Sequence, residues 1–436
     1  MIYIHIPFCK QACHYCDFHF STNLKQKQAF LYALDKEIEL QKNFFKNAVS
    51  PNLIEKDKSQ PLLVSSRATN PQPQPLSVSP PTTQKSLKTI YFGGGTPSIL
   101  EISELQAILE KVKSTFQIDS TAEVTLEANP DDLTSLEFLK GLKEIGFNRL
   151  SIGIQSFEES FLKFMNRAHN AEEAKNCVKL AQQAGFDNIS IDLIYGVQLP
   201  KEKDNHLFKN NFEKQSEGFN QKLLSNPHYF WEKDLEFALS LNVPHISAYC
   251  LTIEPKTPFG NYLKRGKLKP IDEEFAAQQF EILTQTLKEN GYVHYEISNF
   301  AKPNQFSKHN TAYWQDEPYL GLGASAHSYD GKNRFMNAAN NRNYVENLDK
   351  NKLPQIIDKL SEEDRINEYF LTSLRTIWGI DLNHLITKYN YNLLQNQSKT
   401  ISKLVDDKLI FMENDKVILT EKGKLFADGI ASDLFV

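Results

Sequence analysis

Apolar runs and helical periodicities alternate along the first 250 residues. Ile2 to Ile6 is a short apolar run, and similar runs recur at Thr89–Phe92, Glu123–Ala128, Arg149–Ile154, Asn188–Tyr195 and His245–Leu251. Between them, apolar residues return every three or four positions over Gln26–Asn43, Ile102–Phe116, Asp132–Ile145, Ala171–Ala184 and Phe230–Leu241, which predicts helices. Strand–helix alternation of this kind predicts an α/β protein built on a parallel sheet, either a βα barrel or an open doubly wound sheet. Phe275–Glu289 and Val293–Ile297 extend the pattern to about residue 300, so a first domain over 1–300 is expected. A connecting segment over 301–358 follows. From Ser361 the pattern is mainly helical, with Lys416–Leu419 as a strand, which predicts a small helical C-terminal domain with a β-wing over 359–436.

Two stretches break the periodicity. Seven prolines fall between Pro51 and Pro81 among Ser, Gln, Thr and Asn, so an insertion of about 48–87 is expected outside the core, with Pro51 to Lys85 dispensable. A polar stretch over 201–226 reads as a second insertion. The conspicuous residues fall elsewhere, at or just past strand ends: Cys9 to Cys16, Gly93-Gly94-Gly95-Thr96-Pro97, Glu127, Gln155, Asp192 and Thr252. In a barrel the loops from all strands converge on that face, whereas an open sheet uses one or two strand ends at a switch point.

Composition narrows the classes. Hydrophobic residues make up 40% and charged residues 24%, and the net charge is −5. This is an ordinary globular balance with no basic excess that would call for nucleic acid. Five cysteines, three of them crowded together, are no disulfide framework and point to a reducing, cytoplasmic setting. The N-terminus lacks the pattern of a secretory signal, and no run approaches the ~20 apolar residues of a membrane span. Peripheral membrane contact and a homodimer stay open.

The candidate chemistry begins at Cys9, Cys13 and Cys16. Three thiols on one loop suit an iron–sulfur cluster with one iron left open, since the next position for a cysteine holds Phe18. The alternative is zinc in a closed Cys3His site completed by His5, His14 or His19. The triple glycine allows backbone to approach a ligand, or simply makes a tight turn. Glu127 and Asp192 would accept hydrogen bonds from an amine or hydroxyls, and Arg167 would pair with a carboxylate.

These residues carry a resemblance. Cys9-x3-Cys13-x2-Cys16, with Tyr15 before the third cysteine, resembles the signature of radical S-adenosylmethionine (SAM) proteins. That resemblance implies a [4Fe-4S] cluster whose open iron is chelated by SAM. Tyr3, Gly94, Gly95, Thr96, Glu127, Gln155, Arg167 and Asp192 match the SAM-binding positions of the coproporphyrinogen III oxidase-like group, and Asn148 to Phe157 is similar to a diagnostic stretch of that group. The implied fold is a partial (β/α)6 TIM-like barrel with a small, winged-helix-like C-terminal domain. Two branches of the group differ in function. His309-Asn310-x-x-Tyr313-Trp314 looks like the signature of its heme chaperones. This branch implies heme as a further ligand, acceptor hemoproteins as partners, and His309, facing the open mouth, as the heme ligand with His327 as the second choice. Chemistry alone favours a structural or surface role for His309, and the same holds for His327. Oxygen-independent coproporphyrinogen III dehydrogenases, the alternative, carry a further cysteine where this chain has Phe18 and an N-terminal extension ahead of the cluster. The chain shows neither, so the heme-chaperone branch is expected. A radical SAM enzyme acting on another substrate is the third reading.

Overall fold

The structure, a computed structural model, describes residues 1–47, 86–199 and 217–436. Most of each expected insertion lies outside the described residues. Six strands form in the predicted order: β1 (Ile2–Ile6), β2 (Leu87–Gly94), β3 (Ile118–Ala128), β4 (Arg149–Gln155), β5 (Asn188–Tyr195) and β6 (His245–Cys250). They pair in sequence order, all parallel. Beyond β6 the sheet continues with the antiparallel β8 (Asn299–Ala301) and β7 (Val293–Glu296), and beyond β1 with β9 (Leu320–Leu322), parallel to it. The nine strands run from β7 at one edge to β9 at the other. The sheet is therefore open at a seam, as a partial barrel requires.

Alternation along the strands decides which side is which. Ile2, Ile4, Ile6, Ile90, Phe92, Leu126, Leu150, Ile152, Ile191 and Ile246 belong to one core with residues of the surrounding helices, among them Phe30, Leu34, Leu109, Leu142, Val178 and Leu235. Each such buried side chain contributes about 1.5–3 kcal/mol. The intervening positions face the lumen and are polar: Tyr3 and His5, Thr89 and Tyr91, Thr125 and Glu127, Arg149 and Ser151, Ser190 and Asp192, His245 and Ser247. A barrel filled with branched apolar layers would have no room for a ligand, whereas this one presents hydrogen-bonding groups inward.

Helix ends follow local chemistry. In Leu136–Ile145, the Ser135 hydroxyl accepts from Phe138 N, and Gly146 closes the helix at φ 112°. This helix starts four residues later than its periodicity suggested, because Pro130–Asp132 forms a 3-10 turn first.

The 301–358 stretch is woven into the barrel. It supplies β9, and its helix Asn341–Asp349 stacks Tyr344 on Phe30 with ring centroids 5.3 Å apart. It also forms a small antiparallel sheet of β10 (His327–Tyr329), β11 (Asn333–Asn337) and β12 (Gln355–Lys359). The C-terminal unit has a separate core that includes Phe370, Leu374, Leu385, Leu404, Val417 and Ile430. Its β13 (Ile380–Asp381), β14 (Ile410–Glu413) and β15 (Lys416–Leu419) form the expected wing.

One buried carboxylate ties the helix after β1 to the segment that follows β9, the neighbouring strand at the sheet edge. Glu37, on helix Lys27–Leu40, accepts from Gly323 N (2.7 Å), Asn337 Nδ2 (2.6 Å) and the Tyr344 hydroxyl (2.5 Å). Burial pushes its carboxyl up to about 7, against the pull of those donors. A carboxyl raised in the fold binds its proton more tightly there than in the unfolded chain. Its contribution to stability is full below the unfolded value of about 4.3 and is lost as pH rises through 7. Glu37→Gln, uncharged throughout, should flatten the fall in stability between pH 4.5 and 7 by a few kcal/mol, read as the wild-type-minus-variant difference in chemical denaturation at each pH.

Candidate functional site

The site grows from the contact between the end of β1 and the turn after β2. Gly95 N donates to Ile6 O (2.9 Å) and Thr96 N to Phe8 O (2.7 Å). A Cβ on Gly95 would lie 2.7 Å from both carbonyl oxygens, and Gly94 has φ +103° with His5 directly over it. Only glycine permits this approach. The contact aims the chain after β1 across the barrel mouth, where the cysteine loop is pinned by Cys9 N to Ser21 O (3.1 Å) and His14 N to Met165 O (3.0 Å).

Cys9, Cys13 and Cys16 lie near one another on the loop: Cys13 raises the pKa of Cys9 and of Cys16, and Cys9 raises that of Cys16. Burial is the larger cause and pushes Cys9 up to about 11 and Cys16 up to about 12. Among the described residues no group of His, Cys, Asp or Glu side chains closes on a single metal ion. Of the histidines that a Cys3His zinc site would need, His5 has both ring nitrogens in hydrogen bonds, while His14 has Nδ1 on Phe164 O and His19 has Nε2 on Asn341 Oδ1. A cubane sets its thiolates on separate irons, so the donor set suits a cluster better than one zinc ion. Cys177 lies apart, its thiol on Ala174 O within its own helix.

Arg167 stands behind the loop. Its Nη1 donates to Cys13 Sγ (3.2 Å) and the Tyr15 hydroxyl (3.3 Å), and its Nη2 to Asn129 Oδ1 (2.7 Å) and Gly153 O (2.8 Å). Burial opposes its charge, but the flanking Tyr15 and Cys13 outweigh it and hold the guanidinium above its usual value. Its Nε is buried without a partner among the described residues. Across the lumen, Glu127 accepts from the Tyr91 hydroxyl (2.8 Å) and Gly94 N (3.1 Å), and desolvation pushes its carboxyl up to about 7. Desolvation likewise lifts Asp192 to about 6, with Ser247 and Ser151 opposing. Gln155 adopts φ 69° at the end of β4. A non-glycine residue held in the left-handed region is the kind of strain that collects at functional sites. Tyr3 sits deeper, its hydroxyl 3.1 Å from His5 Nδ1.

The strand ends therefore gather the cysteine loop, Gly94 to Thr96, Glu127, Gln155 and Arg167 around one mouth, with Tyr3 and Asp192 on the lumen wall. Two contributors were not singled out from the sequence. Asn129 joins Arg167 to Thr96 Oγ1 (3.2 Å); its place after Glu127 at a strand end was the available signal. Arg149, fully buried, faces the lumen among Glu127, Asp192 and His309. Its position at the start of a strand gave no such signal.

His309 does not face the mouth. It is 1% exposed on helix Lys308–Trp314, with Nδ1 2.7 Å from Thr89 Oγ1 and its ring between Tyr91 (4.9 Å) and Tyr313 (5.0 Å). Glu123 accepts from the backbone of Lys308 and His309, drawing the helix into the lower lumen. The same helix lines a cavity of about 480 Å³ at the seam. Tyr313 and Trp314 form part of its wall, with Tyr249, Tyr369, Arg334 and Arg375. His327 is exposed; partial burial, with Arg334 close by, lowers its pKa and favours the neutral ring.

The radical SAM superfamily profile matches residues 83–208. A Bacillus subtilis protein named heme chaperone HemW is 33% identical over 98% of this chain and 97% of its own length. A Lactococcus lactis protein of the same name is 31% identical over 97% and 93%. This chain belongs to the HemW family of radical SAM proteins. Among solved structures, the radical SAM enzyme coproporphyrinogen III oxidase (HemN) from Escherichia coli superposes with a TM-score of 0.72 at 21% identity, covering 100% of this chain and 89% of that one. That likeness establishes the radical SAM fold of the full chain. The family implies a [4Fe-4S] cluster and SAM. No helix among the described residues is long and apolar enough to cross a membrane.

Gly95→Ala tests the contact on which the mouth is built. The added methyl meets two backbone carbonyls that no side-chain rotation can move, so the variant should lose about 1–3 kcal/mol of stability. It should also retain less iron per chain after anaerobic reconstitution, checked by iron analysis and thermal denaturation.

Proposed function

We propose that this protein is a cytoplasmic heme chaperone that holds a [4Fe-4S] cluster and SAM at the barrel mouth and delivers heme to acceptor hemoproteins. Near-full-length similarity to proteins named heme chaperone HemW carries the reading, and the donor set at the mouth supports it. Cys9, Cys13 and Cys16 would hold the cluster. Arg167 would offset the negative charge of the thiolates, through the hydrogen bond it already makes to Cys13. When bound and reduced, such a cluster supplies an electron to SAM through its open iron. Around SAM, the Gly94–Thr96 turn would lie against the ligand with no side chain in the way. Glu127 and Asp192 would accept from its ammonium or hydroxyl groups, with Gln155, Arg167 and Tyr3 completing the wall. The heme ligand suggested by the motif is His309. Its buried Nε2 has no partner among the described residues, and its use would require heme to enter past Tyr313.

Oxidative decarboxylation of coproporphyrinogen III is the second reading. Phe18, 68% exposed beside the cysteine loop, occupies the position of the dehydrogenases' further cysteine and disfavours it. Anaerobic reconstitution followed by parallel assays separates the two. Stoichiometric heme retention without coproporphyrinogen turnover is expected; turnover without heme retention would reverse the choice. Serine at Cys9, Cys13 or Cys16 should abolish iron and sulfide binding, whereas Cys177→Ser and Cys250→Ser should leave both unchanged.

A further inference from the structure

Outside the β9 edge, the sheet of β10–β12 presents a row of exposed side chains on one face. His327 pairs with Met336, and Met336 pairs with Ile356, so the three stand side by side on one face. All three are exposed, Met336 at 40% and Ile356 at 64%. The adjacent row on the same face is Tyr329, Arg334 and Asp358. There the Arg334 guanidinium lies 5.8 Å from the Tyr329 ring centroid and is held by Glu368 (2.7 Å) and the Tyr319 hydroxyl (3.2 Å).

The histidines single out one end of the row. The chain has eleven, of which His206 lies outside the described residues. Of the other ten, eight have a ring nitrogen in a hydrogen bond. His384 is tilted against Tyr369 with a buried Nε2. Among the described residues, His327 alone is exposed with a ring free of protein hydrogen bonds.

We propose that this face is the heme-docking site, with His327 as axial ligand to the iron, Met336 and Ile356 as the apolar floor under the porphyrin, and Arg334 as a partner for a propionate. The proposal rests on the heme-chaperone reading and moves the ligand away from His309. An imidazole standing off a sheet directs its free nitrogen outward, so the macrocycle lies over its cross-strand neighbours and covers apolar surface that water now contacts. Tyr329 and Arg334 also line the seam cavity, so the propionate edge points toward the motif helix. The outer face of the heme stays open. An acceptor can then offer its own ligand at the second axial position before His327 lets go, and heme need not pass through water.

Hemin titration of the reconstituted full-length protein, followed at the Soret band, tests the proposal. His327→Ala should weaken binding about tenfold or more, or shift the band, and added imidazole should restore the wild-type spectrum. The double variant Met336→Lys, Ile356→Asp, on exposed positions, should weaken binding with its iron and sulfide content unchanged. His309→Ala should weaken binding far less than His327→Ala does. Wild-type binding by His327→Ala, with loss in His309→Ala, would end the proposal and leave the heme reading standing. Wild-type protein that binds no heme would end the heme reading itself.

Discussion

The mouth depends on one close backbone contact, between the end of β1 and the glycine turn after β2. Two hydrogen bonds, Gly95 N to Ile6 O and Thr96 N to Phe8 O, hold strands that about eighty residues separate in the chain. The turn has no side chain at the point of contact, so the chain leaving β1 runs flat across the barrel end. The three cysteines then fall on a loop over the lumen rather than beside it. Arg167 completes the arrangement from the far wall, reaching the loop, β4 and Asn129 with one guanidinium. A group that bridges three elements in a partly desolvated site fixes their relative positions more firmly than surface ion pairs do.

The lumen explains how a barrel of this kind serves a ligand at all. Strand alternation sends isoleucine and leucine outward to the helices and leaves tyrosine, serine, threonine and carboxylates within. Desolvation there raises Glu127 and Asp192, so a cationic ligand group would meet carboxylates that gain from its charge. The open seam matters equally. Helix Lys308–Trp314 enters through it, anchored by Glu123, and turns the lower lumen into a packed aromatic floor around His309. The mouth gathers the cysteine loop and the strand-end polar groups, while the outer edge, formed by β10–β12, presents an imidazole and apolar side chains to solvent.

Much of the architecture was legible from the chain alone. The six parallel strands, their order and the concentration of unusual residues at their ends follow from apolar runs and helical spacing, which are local properties of neighbouring residues. The cysteine spacing was legible for the same reason, because three ligands on one loop need no distant partner. The winged C-terminal unit likewise followed from periodicity. What the sequence could not determine is how segments far apart meet. The motif around His309 reads like an exposed ligand loop, yet Glu123 and Thr89, some two hundred residues earlier, capture its backbone and ring and bury it. The 301–358 stretch reads as a connector, yet β9 hydrogen-bonds to β1 and Glu37 binds Gly323, Asn337 and Tyr344. Whether a histidine can meet iron depends on its burial and on which of its two nitrogens is left free, and the tertiary structure alone decides that.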